Sequence, residues 1–367
     1  MKKEIPPLKF KKEDIFFQHL RAEVTAYFKN TALTKKATSF WFIKAWSFIS
    51  MYVVMYSCLL IFGENRLVMF VCYAGLGVLA ILLGLNVGHD AAHGTISKSQ
   101  SVNKWYAVVF DLLGGNSYIW RIRHIYAHHP YPNVIGYDSD IKQSKLVRIF
   151  PKDIYLRFHR FQHIYTPILL IFSYTLNWFL IRDFQDFYVR QFGKKNIQKH
   201  PKGTFQKIVL FKCLYIGFIL YVPFFVLGFS YIIVLGFFVM NIFSGMIISI
   251  ALVSTHVGDH HEFPTPNAEG NFDHSWSTHQ IITTSDFCTK NKIANFFFGG
   301  FNHHVIHHLF PEINHIHYVN MTPILKKTAK DFQVNYRSEE NLFRVFKSHI
   351  KLLKREGYEH GLLHQEI

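Results

Sequence analysis

The chain has few cysteines, four in 367 residues. Cys58, Cys72, Cys213 and Cys288 form no CxxC pair, and the first three lie inside apolar runs, which argues against disulfides and thiolate metal sites. An apolar core is also missing from the charged N-terminus MKKEIPPLKFKKED, so no cleavable signal is expected there. The first apolar run must then act as the insertion signal. Acidic residues are scarce too: the formal charge is +16. No nucleic-acid-reading module accompanies that charge, so no nucleic-acid partner is expected. Lys and Arg beside anionic lipid head groups account for it more simply.

Apolar residues make up 50 % of the chain, with 38 phenylalanines, and they gather into long runs. Four of these, at 41–62, 67–85, 208–227 and 231–253, are about 20 residues each, roughly 30 Å as helices, the thickness of a bilayer core. The short turns Gly63–Arg66 and Gly228–Ser230 pair them into two hairpins. Lys212, near one end of the third run, is expected to snorkel to the interface. Two further runs, 105–119 (with Asp111 and a Gly-Gly-Asn break) and 164–181, are expected to be interfacial helices. If 164–181 crossed, the histidine clusters on either side of it would lie on opposite faces of the membrane. Residues 1–40 read as a basic cytosolic segment with one amphipathic helix at 15–28, residues 41–350 as the membrane domain and 351–367 as a basic tail. The basic segments fall on one side and only Arg66 occupies the tight turns, so that side is expected to be cytoplasmic. The expected fold is an all-α, multi-pass integral membrane protein: four transmembrane helices in two hairpins under a cytoplasmic helical cap.

Histidines are the other excess, 23 in all. His89 and His93 form HDAAH at the end of the second run. His124, His128 and His129 form HIYAHH; His304, His307 and His308 form HVIHH after the fourth run, whose end carries His256. Spacings of three and four residues put two imidazoles on one helical face, within reach of one metal. Nine imidazoles exceed the four of a structural zinc site and suit two metals with open positions. Imidazole accepts Zn, Cu, Fe and Ni alike, so the ligands alone do not choose the metal. Asp90, Asp138 and His279 are the candidates to orient these ligands, and Asp140 to bond to one or cap a helix. Lys142, Lys145 and Arg148, beside the second cluster, are the candidates to hold an acidic head group. His303 is expected to point away from the third cluster's face. His159, His163, His315 and His317 are read as helix-surface or ligand-supporting, and His260, His261 and His274 as solvated. His19, His200, His349, His360 and His364 are read as surface residues.

With these clusters in place the chain resembles the membrane fatty-acid desaturases, and within them the front-end, linoleoyl-CoA desaturase-like group. The resemblance rests on GHDAAHG at 88–94, HIYAHHPYPNVIGYDSDI at 124–141, WSTHQIITTSDF at 276–287, GGFNHHVIHHLFP at 299–311 and the HIHY that follows. It covers roughly residues 40–350. It implies two iron ions on His89, His93, His124, His128, His129, His256, His304, His307 and His308, with O2 as co-substrate and an acyl-CoA or acyl-lipid as substrate. The chain departs from the group in having His304 where the third box commonly begins with Gln, and in having no HPGG haem motif. Electrons are therefore expected from a separate donor, a ferredoxin or a cytochrome b5. Dehydrogenating an unactivated methylene chain requires a redox metal, which zinc is not. The alternative on the same site is a membrane di-iron hydroxylase. A metal transporter fits less well, because transport paths place ionisable residues inside spans and these runs are nearly free of them.

Overall fold

The structure is a computed structural model that describes residues 8–141, 144–193 and 195–358. It is mostly helical. Among the described residues four helices are each long and apolar enough to cross a membrane, Ser39–Phe62, Arg66–His93, Thr204–Leu227 and Tyr231–His256, and a bent helix pair taken together would make a fifth. Asn65 starts the second, its side chain accepting from the backbone N–H of Leu67 and Val68, and Ser230 caps the fourth through the N–H of Ile232. The second helix runs about two turns beyond the expected end at 85. A π turn at Gly84–Gly88 is inserted in it and hands over to His89–His93.

The second and fourth helices form the centre. They approach so closely at Gly77 that a Cβ there would lie 2.1 Å from Met240 O, and Ser244 Oγ donates to Gly77 O at 2.9 Å. The outward faces carry apolar side chains that water would not tolerate, Phe225 at 91 % exposure and Phe229 at 88 % among them.

The run at 164–181 is not one straight helix. Arg157–Phe172 and Tyr174–Phe187 meet at a bend of 55°. Ser173 sits at the bend with its hydroxyl bonded to Leu169 O at 2.7 Å, a competitor for the helical ladder. The arm packs against the fourth helix at Gly245, where a Cβ would meet Ile171 O at 2.2 Å. The run at 105–119 likewise divides, into Gln100–Leu112 and Ser117–Arg123. Asp111 bridges the break by accepting from Ser117 N and Oγ.

The N-terminal helix extends over Ile15–Thr31 and buries Phe16, Leu20, Val24 and Phe28, an i,i+4 stripe. That stripe packs on Leu309, Phe310, Ile313, Met321 and Leu325, so the segment is docked onto the histidine-bearing part of the molecule. Asp14 locks it there, accepting from Ser277 Oγ at 2.6 Å and Ser277 N at 3.1 Å. Among the described residues three two-stranded ladders complete the fold, including Lys9–Lys11 parallel to Asn271–Ser275.

Lys212 does not snorkel. It is buried, and its Nζ donates to Gly114 O, Phe179 O and Asp183 Oδ2, the last at 2.8 Å. An ammonium held by three internal acceptors has no need of the interface.

Candidate metal centre

Eight buried or nearly buried histidines converge in two groups, within each of which the ligand atoms lie within 4.8 Å of one another. His89, His93, His124 and His307 form one; His128, His256, His304 and His308 form the other. His129 lies between them, its Nε2 3.1 Å from His124 Nε2 and its ring 4.5 Å from that of His308. His89 falls in one group with His93, and His304 with His308, while His304 and His307, three apart, fall in different groups. His124 and His128 belong to different four-histidine groups, yet both lie within 4.8 Å of Asp140 in a third cluster. Residues His124–His128 form a π turn, closed by His129 N bonding to His124 O at 3.0 Å. The His124 and His128 rings stay stacked across that turn, 5.2 Å apart.

The outer nitrogens of five rings are held by protein acceptors. His124 Nδ1 faces Asp140 Oδ2 at 2.9 Å, and His128 Nδ1 faces Asp138 Oδ2 at 3.0 Å. His256 Nδ1 faces Thr283 O at 3.1 Å and His308 Nδ1 faces Gln280 Oε1 at 2.9 Å. His307 Nδ1 lies 3.1 Å from the Tyr318 hydroxyl, which itself donates to Ile313 O. Each partner accepts, so each ring carries its proton on Nδ1 and turns the Nε2 lone pair inward. The consequence shows at His304, whose Nε2 receives His256 Nε2 at 2.9 Å and His308 Nε2 at 3.2 Å. One proton on His304 satisfies at most one of those two lone pairs, whereas a cation among them satisfies all three. In the other group both nitrogens of His89 and the Nε2 atoms of His93 and His307 are buried with no hydrogen-bond partner among the described residues. Burial also holds His124, His129, His304, His307 and His308 well below the ordinary imidazole range, keeping them neutral. His128 differs: burial lowers it, but the charge and hydrogen bond of Asp138 together with the charge of Asp140 make the net shift upward. The donor set of imidazoles with inward Nε2 atoms fits two transition-metal ions.

The remaining expectations divide. Asp138 and Asp140 bond to ring nitrogens in the groups. Asp90 makes no side-chain hydrogen bond to the nine histidines among the described residues: its Oδ2 accepts from Trp41 Nε1 at 2.7 Å, Asn314 Nδ2 at 3.0 Å and His315 Nδ1 at 2.6 Å. That buried carboxylate ties the first two long helices to the 314–315 turn. His279 bonds to Pro132 O and His274; its neighbour Gln280 does the supporting instead. Gln280 and Tyr318 stand in the motifs WSTHQ and HIHY, and the signal was missed because neither is a metal-ligand type that draws attention by itself. His303 points away, to Thr322 Oγ1 and Asn295 Oδ1.

Arg148 is not free for a head group: it is buried and donates to Glu356 O, Asp153 O and Pro151 O. Lys145 is exposed, and Lys142, His360 and His364 lie outside the described residues. His200, His261 and His349, expected at the surface or in solvent, are buried.

A cavity of about 480 Å³ reaches both groups. Its wall includes Ala80, Ile81 and Gly84 of the second helix, Ile248 and Leu252 of the fourth, and Leu169, Leu170 and Phe179 of the bent pair. It opens on His89, His124, His128, His256 and His304.

The family model for fatty acid desaturases matches residues 64–340. The sn-1 linoleoyl-lipid 6-desaturase of Synechocystis sp. is 32 % identical over 95 % of this chain and 98 % of its own length. A protein of the same name from Arthrospira platensis is 32 % identical over 86 % of this chain and 82 % of its own. The acyl-lipid (8-3)-desaturase of Mortierella alpina is 27 % identical over 94 % and 78 %.

Proposed function

This chain belongs to the fatty acid desaturase family, and from that premise we propose that its two histidine groups hold a pair of iron ions beside a tunnel for the acyl chain of a membrane lipid. It is a fatty-acyl desaturase, an oxidoreductase of lipid metabolism, similar to front-end enzymes. The observation that carries the di-iron reading is the cavity: an apolar slot whose wall includes members of both groups.

Bound iron supplies one-electron chemistry with O2 strong enough to remove hydrogen from an unactivated methylene. The chain's own residues do the rest. Asp138, Asp140, Gln280, Tyr318 and the Thr283 carbonyl fix which nitrogen of each ring faces inward. Leu169, Leu252 and Phe179 exclude water from the chain. The relatives' names favour an acyl-lipid over an acyl-CoA as substrate. Electrons come from a separate ferredoxin or cytochrome b5. The four long helices cross as two hairpins, with the helical cap and the histidines on the cytoplasmic face, where the Lys and Arg residues gather. Residues 105–119 and the bent pair lie at that interface.

The test is mass spectrometry of total lipids from a host making this protein beside one making His307→Ala. A product lacking two hydrogens, absent with the variant, is expected. A product gaining one oxygen would replace desaturation by hydroxylation.

A further inference from the structure

Most polar side chains on the cavity wall outside the histidine groups are already engaged or reach solvent. Arg123 and Asp140 pair with each other, Ser173 bonds to its own helix, and Ser144 and Gln185 are exposed. Two differ. Thr166, on the helix Gln162–Phe172, is 3 % exposed, and His349, on the helix Leu342–Glu356, is 4 % exposed. Both line the cavity, yet Thr166 Oγ1 and His349 Nε2 have no hydrogen-bond partner among the described residues. Buried polar atoms without partners are rare and need a reason.

The two belong together. Gln162 Nε2 donates to Leu353 O at 2.8 Å, joining the two helices. Thr166 and His349 each lie one turn from that contact and line the same cavity. Their chemistry is complementary. His349 Nδ1 donates to Val257 O at 2.7 Å, which places the ring proton on Nδ1 and leaves Nε2 an acceptor. Burial pushes the His349 pKa down to about 4, so the ring stays neutral. The Thr166 hydroxyl is a donor. A donor beside an acceptor on an otherwise greasy wall is how small-molecule sites fix the orientation of a mostly apolar ligand. The pair also sits close to the chemistry, because Val257 directly follows His256 of the second group.

We propose that Thr166 and His349 form the subsite for the polar linkage of the acyl substrate. The Thr166 hydroxyl donates to the acyl carbonyl oxygen, and His349 Nε2 accepts from an N–H or O–H of the head group. The inference rests on reading the cavity as the acyl site. It adds that the carbonyl end of the chain lies on the side of the second histidine group. The methyl-side remainder occupies the apolar wall between Ala80 and Phe179.

Thr166→Val keeps the side-chain shape and removes the hydroxyl. His349→Asn keeps an N–H for Val257 O and removes the acceptor. The full-length variants are produced in a host supplied with acyl-lipids, and double-bond positions are located by derivatisation and mass spectrometry. Iron per chain is measured in parallel, and apparent KM and kcat in membranes. At wild-type iron content, Thr166→Val should raise KM by about tenfold with kcat held, the signature of lost binding, and should yield positional isomers absent from wild type. His349→Asn should do the same, and it is read alone if the first variant does not accumulate. An iron-replete variant with wild-type KM and a single wild-type bond position overturns the assignment. So does a fall in kcat alone, which would mark a structural role. Absence of any unsaturated product from the wild-type protein would overturn the functional reading itself, and this inference with it.

Discussion

Gln280 Oε1 receives the Nδ1 proton of His308 at 2.9 Å, and this one contact decides which nitrogen of His308 faces His304. Losing such a supporting bond costs metal sites about 10- to 100-fold in affinity or activity. Gln280→Leu should therefore lower iron per chain and turnover together by that order, measured by elemental analysis and product formation. Gln280→Glu, which retains the acceptor, should hold more iron than the leucine variant. Equal iron in all three proteins would remove Gln280 from the metal centre.

Lys212 and Asp183 are a buried pair at 2.8 Å. Removing one partner leaves the other charge uncompensated in a medium that solvates it poorly, at a cost of about 3–5 kcal/mol. Lys212→Met should lower the melting temperature in detergent markedly, and Lys212→Met with Asp183→Asn should recover most of the loss. A double variant no better than the single would show that Lys212 acts through its backbone acceptors, Gly114 and Phe179, instead.

The charges beside the second cluster separate by burial. Arg148→Ala removes donors from four backbone carbonyls and should destabilise the protein while leaving the KM for acyl substrate unchanged. Lys145→Ala, at an exposed position, should alter stability by no more than about 0.5 kcal/mol. A raised KM in Arg148→Ala at full stability would restore the head-group role.

How much of this was legible in the sequence depends on the range of the interaction. Apolar runs of bilayer length located four long helices to within a few residues at most ends, because span length is a local property. The nine histidines were legible as a set for the same reason. Their division into groups was not: His304 and His307 share one short helix and a three-residue spacing, yet each faces partners from other elements and falls in a different group. Supporting contacts were missed where the partner is distant. Asp90 lies beside His89 in sequence yet serves His315, 225 residues on, while Gln280 reaches His308 across 28. Lys212 shows the remaining gap, since a lone lysine in an apolar run reads the same whether it snorkels or meets a buried Asp183.

Asp111 supplies a pH dependence away from the metal centre. Burial raises its pKa from 3.8 to about 6, against the lowering by its bonds to Ser117. The folded protein therefore holds a proton that the unfolded chain releases from about pH 4 upward. Stability from this group is present below pH 3.8 and declines as pH rises to about 6, then stays flat. The total is at most about 3 kcal/mol at 1.36 kcal/mol per unit. Asp111→Asn cannot ionise, and its Oδ1 still accepts from Ser117 N. The melting-temperature difference between variant and wild type should shift in favour of the variant between pH 4 and 6 and be constant above. A constant difference across the whole range would mean that Asp111 titrates as if exposed.

His304 gives the sharpest test of the second group. Its Nε2 faces two lone pairs, those of His256 and His308, so an apolar residue there would remove the third ligand and leave two mutually repelling acceptors. Glutamine differs from alanine in bringing a carbonyl oxygen to the same region, and oxygen is an acceptable ligand for iron though a weaker one than imidazole. His304→Ala should lose at least half of the iron per chain and all desaturation. His304→Gln should retain more iron than the alanine variant and measurable product. The neighbouring His303→Ala removes a ring committed to Thr322 and Asn295, and should leave iron content at wild type. If His303→Ala lost iron as His304→Ala does, the third box would be read one residue out of register. If His304→Gln were as empty as alanine, the site would demand imidazole at that corner.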